Sequence, residues 1–498
     1  MRTLFATVLT GALLAASSAW AQDFRIGLQE DPDLLDPHRA RTFVGRIVFT
    51  SLCDKLIDVD AKLNFVPELA SEWAWSDENK TLTFKLVEGA LFHDGTPFNA
   101  EAAKANIDRA RTLQDSLRKS ELASVESVEV VDEFTVALHL SKPDATLLAQ
   151  LSDRAGMMLS PATFDGDVAA NPVCSGPYKF ASRVQNDRIV LEKFADHRDA
   201  GAHHFDRLVF LPIPDSTVRL ANLRAGDLDM LERLNPSDAE SVRGDAALQF
   251  MPVAGLGYQG ITINTGGGER SENPLGQDKR VRQAFQLAIG RDVINDVVGQ
   301  KLFEPAQQPF PAASPYNSPS FPVVQRDPEA AKALLAEAGV ERVSFELSFG
   351  NNTTTQAINE LIQAMAAEAG FDISLRPTEF AAMQQDMKSG NYQASQIGWS
   401  GRVDPDGNLH QFVTCEGALN DSKYCNEEVD RLLNAARVTP DVGERQALYE
   451  DAQKILQDEL PIIYIYHQPW PFVLSGAVSG FTAYPDGMVR LKGVQLSK

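Results

Sequence analysis

Residues 344–408 read SFELSFGNNTTTQAINELIQAMAAEAGFDISLRPTEFAAMQQDMKSGNYQASQIGWSGRVDPDGN. Three apolar-rich runs, SFELSF (344–349), DISLRP (372–377) and YQASQIGW (392–399), alternate with two longer stretches of helical composition, 358–370 and 379–390. That strand–helix–strand–helix–strand order predicts an α/β architecture, a parallel or mixed sheet flanked by helices. Just upstream, Asp327 and Pro328 make a helix cap and first-turn proline, and Gly339 stops that helix. The last piece, GWSGRVDPDGN (398–408), lies beyond a strand's carboxyl end, where open α/β sheets place ligands.

Towards the N-terminus the texture differs. Residues 22–66 hold a strand at 24–28, the turn-rich DPDLLDPHRARTF (31–43) and an amphipathic run over 45–55. A strand-rich region follows, in which TLTFKLVEG (81–89) and VESVEVVDEFTVALHL (125–140) alternate apolar and polar residues as half-buried strands do. Between them FHDGTPF (92–98) leads into the helix AEAAKANIDRAR (100–111). PVCSGPYKF (172–180) marks the return to another sheet, continued by RIVLEKF (188–194) and RLVFLPI (207–213).

The first 21 residues have the order of a secretory signal: Arg2, an apolar core from Leu4 to Ala15, then small residues at Ala19 and Ala21. A core of about a dozen residues is short of the roughly 20 that span a bilayer, so the mature chain is expected to begin at Gln22. Removing the signal takes away Arg2 and no acid, moving the formal charge from −22 to −23. So acidic a surface argues against nucleic acid and anionic membrane as partners. With 498 residues in all, 44% of them hydrophobic, two or three domains are expected.

Four cysteines in an oxidising compartment favour bridges. Cys415 and Cys425 lie ten apart across a polar loop and read as a local bridge. Cys53 and Cys174 remain as a second pair, either joined or left as two buried thiols, and no spacing resembles a zinc site.

Several motifs fail on context. GLGYQG (255–260) fits the dinucleotide template letter by letter, but ITINT follows as a strand where a helix N-terminus would have to receive the pyrophosphate. There is no phosphate loop of the Walker kind, no H-E-x-x-H and no G-x-S-x-G; Ser400 in GWSGR is followed two residues on by Arg402 instead of glycine. His203 and His204 read as an exposed pair in a surface turn, and DPDG (404–407) lacks the later Glu of a calcium loop. No cofactor is expected.

The order of segments SLCDKLIDVD, FVPELASEWAWSDENKTLTFKLVEGALFHDGTPFNAEAAKANIDRA, SGPYKF, GITINT, KRVRQAFQLAIGRDVI, GWSGRVDPDGN and PIIYIYHQPW resembles the peptide/nickel/opine class of extracytoplasmic solute-binding proteins that serve ATP-driven (ABC) importers. The likeness spans nearly all the mature chain. It implies a two-lobe periplasmic-binding-protein fold with mixed sheets, a hinge, and an extra α+β subdomain inserted in the first lobe. Mapped here, lobe I is 22–66, 172–262 and 476–498, the insert is 67–171, and lobe II is 263–475, with GYQGITINT as one hinge crossing. It further implies a periplasmic, non-catalytic, monomeric protein that closes on a small-molecule solute and docks on an inner-membrane permease.

Members that bind peptides usually carry an Asp shortly after the GW pair, facing the ligand's amino group; the nearest position here is Arg402. A guanidinium against an enclosed ligand selects a carboxylate or phosphate. The alternative is an ion pair of Arg402 with Asp404 or Asp406 in its own loop. Trp399 offers a flat apolar face with one donor, against packing in the lobe core. Arg154 is a second candidate cation, or a salt-bridge partner of Asp153; Met157 and Met158 beside it could line an adaptable apolar wall. Thr42 and Phe43 border the cleft in the family, and Tyr258 is either a hinge contact or a core tyrosine. The preferred ligand is a small carboxylate-bearing compound, opine-like or a short acidic peptide. The alternatives are general di- or oligopeptide uptake, in which Asp404 or Asp406 receives the amino terminus, a metal-chelate or haem carrier, and a secreted hydrolase on the same fold.

Overall fold

The computed structural model describes residues 22–497, so the signal-peptide expectation lies outside the described residues. Two mixed sheets form the bodies of two lobes. The first has seven strands in the order Leu248–Val253, Trp470–Ser475, Met230–Leu231, Asp23–Leu28, Arg207–Pro212, Arg188–Lys193, Tyr178–Val184. The second has six, in the order Glu304–Pro305, Ile462–His467, Tyr258–Ile263, Ala394–Trp399, Val343–Gly350, Phe371–Thr378. Within it Val343–Gly350 runs parallel to both of its neighbours, and helices Thr353–Glu368 and Phe380–Ser389 make the crossovers, as the periodicity of 344–399 predicts.

The local signals hold. The Asp327 side chain accepts a hydrogen bond from the Ala330 amide at the start of Pro328–Glu337, and Gly339 follows at a φ of 79°. The insert is a four-stranded antiparallel sheet, Ala70–Ser76, Thr81–Leu86, Thr135–Leu140 and Val125–Asp132, carrying helix Ala100–Thr112. Its apolar face packs as a core of its own around Phe84, Phe92, Phe98 and Leu138. Cys53 is bonded to Cys174 at the neck where the insert leaves and rejoins the first lobe, and Cys415 to Cys425. Both pairs are therefore bridged, and the free-thiol alternative falls.

Strand pairing moves the lobe boundaries. Tyr258–Ile263, placed by the sequence with the first lobe, pairs with Ala394–Trp399 and Ile462–His467 in the second sheet. Trp470–Ser475, placed with the second, pairs with Leu248–Val253 and Met230–Leu231 in the first. The crossings are thus 254–257 and 468–469, and they explain the false dinucleotide motif. A Cβ on Gly255 would stand 2.2 Å from the Gln468 carbonyl oxygen, and one on Gly257 1.8 Å from that of Trp399. These glycines let two backbones pass at the hinge. The His203–His204 pair is not wholly exposed: His203 is buried, edge-on to Tyr178 and His197.

Candidate functional site

The loop after Ala394–Trp399 is folded on itself by Asn408. Its side-chain oxygen accepts from Trp399 Nε1 at 3.0 Å and from the Arg402 amide at 2.7 Å, and its Nδ2 donates to the Arg402 carbonyl. The two aspartates of the loop face inward. Asp404 receives both guanidinium nitrogens of Arg445 at 2.6 and 2.7 Å; Asp406 receives Arg437 at 2.7 and 2.8 Å. Burial wins at Asp404, whose carboxyl is raised above the usual range despite Arg445; at Asp406 burial is outweighed by Arg437 and the carboxyl is lowered. Neither is free to receive a ligand's amino group, which corrects the expectation placed on them.

Arg402 pairs with neither. Its guanidinium carbon lies 4.2 Å from the centre of the Trp399 ring, Nη1 donates to the Gly401 carbonyl at 2.8 Å, and Nε stands 3.1 Å from Asp153 Oδ2. Asp153 belongs to the end of the insert, between helix Leu147–Leu151 and the short turn Arg154–Gly156, so this ion pair bridges the cleft. Arg46, on helix Phe43–Leu52, holds the same carboxylate at 3.0 Å, and Arg154 lies 4.0 Å from it. Arg154 and Arg118 both donate to the Ala40 carbonyl, at 2.6 and 3.4 Å, and Arg118 pairs with Glu121 at 2.5 Å.

Four guanidinium groups and two carboxylates are therefore gathered where the lobes meet. Burial opposes ionisation of Asp153, yet Arg46, Arg402, Arg154 and Arg118 hold it well below the usual carboxylate range. Burial, then the neighbouring Arg46, pushes Arg402 down to about 9; burial, then Arg118, holds Arg154 well below the ordinary arginine value. The site is short of negative charge.

A second part of the interface is open. A cavity of about 510 Å³ lies beside the hinge between Gln29, Arg233 and Asn235 of the first lobe and the start of helix Thr353–Glu368 in the second. Asn235 Nδ2 is 3.3 Å from Thr353 Oγ1 across it. The floor is a chain of amides: Gln259 donates to Gln468 at 2.9 Å and accepts from Gln396 at 2.8 Å. Phe43 joins the two parts. Its ring stacks on Trp470 at 4.3 Å and lies 4.6 Å from the Arg233 guanidinium carbon and 6.0 Å from that of Arg46.

The remaining candidates divide. Thr42 is spent on Asp33, donating to its carboxylate at 2.7 Å beside Phe43. Tyr258 is buried in the second lobe, edge-on to Tyr464 at 4.8 Å, with its hydroxyl pKa pushed up by burial; it is a core tyrosine. Met158 is wholly buried in the insert's core and Met157 in that of the first lobe, so neither lines an adaptable wall. Arg46, Arg118, Glu121 and Arg233 were not singled out from the sequence. Arg46 was visible in principle, as the one charge in the apolar run FVGRIVFTSL. Among the described residues no three His, Cys, Asp or Glu side chains come together as a metal site, and no helix is long and apolar enough to cross a membrane.

Comparison with known proteins follows the same lines. The family model for bacterial extracellular solute-binding proteins, family 5, matches residues 64–420. A glutathione-binding protein of Pectobacterium atrosepticum is 27% identical, over 100% of this chain and 98% of its own. The dipeptide-binding protein of Escherichia coli is 28% identical over 86% of each chain. A binding protein from A. tumefaciens R10, solved with agropinic acid, superposes with a TM-score of 0.85 at 24% identity, over 96% of this chain and 99% of that one. The chain belongs to the family 5 extracellular solute-binding proteins, with their two-lobe fold.

Proposed function

We propose that this member is exported to the periplasm, encloses a small carboxylate-bearing solute between its lobes as a monomer, and delivers it to an ABC permease without catalysis. The observation that carries the ligand class is the charge-deficient cluster at the lobe junction. Arg402 comes from one lobe, and Arg46, Arg118 and Arg154 from the other lobe and its insert, and the acids they pair with are Asp153 and Glu121. Buried guanidinium without a matching anion is costly, so a solute carboxylate stabilises the closed form that a permease would recognise. Opine-like amino-acid conjugates and short acidic peptides fit, and glutathione, named for one relative, carries two carboxylates and two amides.

General peptide uptake is a second reading, favoured by the amide-lined cavity beside the hinge, whose glutamines suit a peptide backbone. Mass spectrometry of whatever co-purifies, released by mild denaturation, separates the two. A small acidic compound is expected. A mixture of neutral and basic peptides would overturn the carboxylate reading and leave the peptide one standing.

A further inference from the structure

We infer that the arginine cluster is built for a solute whose head carries two neighbouring carboxylates, the second received by Arg46 and Arg118. The inference rests on the carboxylate reading above and narrows it. Charge is the first argument. Four cations face two acids, so a solute with one carboxylate would leave one buried positive charge and a dianionic head would leave none. Partially neutralised buried clusters are strongly disfavoured, so the difference is a selection and not a tolerance.

Hydrogen bonding is the second. Arg46 Nη1, Arg118 Nε and Arg154 Nε are buried and have no acceptor, and among them the one acceptor left without a hydrogen bond is Asp153 Oδ2, already held as an ion pair by Arg46 and Arg402. Such orphaned donors are rare in folded proteins because each forfeits its desolvation cost. Here three occur together, on a helix of the first lobe and on two segments of the insert, around one pair of carboxylates. Arg402 spends Nε on Asp153 and Nη1 on Gly401 and Ser400, which leaves Nη2 to serve one carboxylate as the lobes close but not two. The unfilled donors belong to Arg46, Arg118 and Arg154, which the withdrawal of Arg402 from Asp153 would uncover on opening. Burial first, and the neighbouring arginines after it, lower the basicity of Arg402 and Arg154.

Succinate, its monoamide succinamate and its diamide are matched in size and differ in charge. Calorimetric titration of full-length protein, stripped of solute by unfolding and refolded with its disulfides intact, is expected to rank succinate at least about tenfold tighter than succinamate, since charge-assisted bonds exceed neutral ones by that order. Arg118→Gln should bring the two close to equality. Glu121→Gln, which frees Arg118 from its internal partner, should tighten succinate several-fold; a gain cannot come from misfolding. Succinamate binding as well as succinate would overturn the dianion inference while leaving the single-carboxylate reading intact. So would a succinate preference that Arg118→Gln does not move, or binding by neither compound. A co-purified mixture of neutral and basic peptides, or a solute lacking any carboxylate, would remove both readings.

Discussion

Within one loop, residues 402 and 404–406 use charge in opposite ways. Asp404 and Asp406 are each gripped by two nitrogens of an arginine on a helix of their own lobe, Arg445 and Arg437, and their pairs stay made however the lobes move. Arg402 pairs across the cleft with Asp153, and that pair can exist only when the lobes are together. The first arrangement is scaffold and the second is a contact that a ligand can replace. Residue types alone do not distinguish them, since all three side chains are charged and lie within five positions.

The sharpest break of this contrast is Asp406→Ala. It strands the Arg437 guanidinium against the lobe, and stability should fall by about 3–5 kcal/mol, the usual cost of removing one partner of a buried pair; urea unfolding measures it. Arg402→Ala should do the reverse. Asp153 keeps Arg46, so the unfolding midpoint should hardly move, while affinity for the carboxylate-bearing solute drops about a hundredfold, as for an enclosed charge pair losing one member. If Asp406→Ala cost affinity alone and Arg402→Ala cost stability alone, the assignment of scaffold and contact would be inverted.

Acid should separate the two kinds of interaction again, more gently. Burial pushes His38 down to about 3 and His93 and His203 to about 4. The unfolded chain binds those protons near pH 6.5 and the folded one does not, so stability is lost as pH falls from about 6.5 towards 4. Burial raises Glu68 to about 8, and this opposes the trend with one proton, favouring the fold below pH 8. The midpoint of thermal unfolding should therefore decline below pH 6.5. Solute affinity should hold until the solute's own carboxyls begin to take up protons, because the arginines keep Asp153 ionised. The smallest effect is expected at the open part of the interface, where Gln468→Ala removes one neutral amide contact; a few-fold loss of affinity corresponds to about 1 kcal/mol.

What the sequence made legible is local. The alternation through 344–399, the cap at Asp327 and the rejection of GLGYQG as a nucleotide motif rest on neighbours in the chain, and the structure has each of them. The lobe boundaries slipped by a few residues because strands 258–263 and 470–475 are apolar in a way that suits either sheet; only their partners decide. Arg402 posed the same difficulty at the site. Its own loop offered two aspartates, and the one it meets comes from the far side of the insert, a distance no local pattern encodes. Met158 and Tyr258 look like pocket residues by type and are core by position.

The first sheet has an interior strand, Trp470–Ser475, supplied by nearly the last part of the chain, whereas the second is drawn entirely from 258–467. During synthesis and release, then, the second lobe has all its strands while the first still has a gap between Leu248–Val253 and Met230–Leu231. The lobe that begins the chain is completed last. Its open strand edges are the ones exposed to mispairing in the interval, and a chain stopped short of residue 470 would keep them exposed for good.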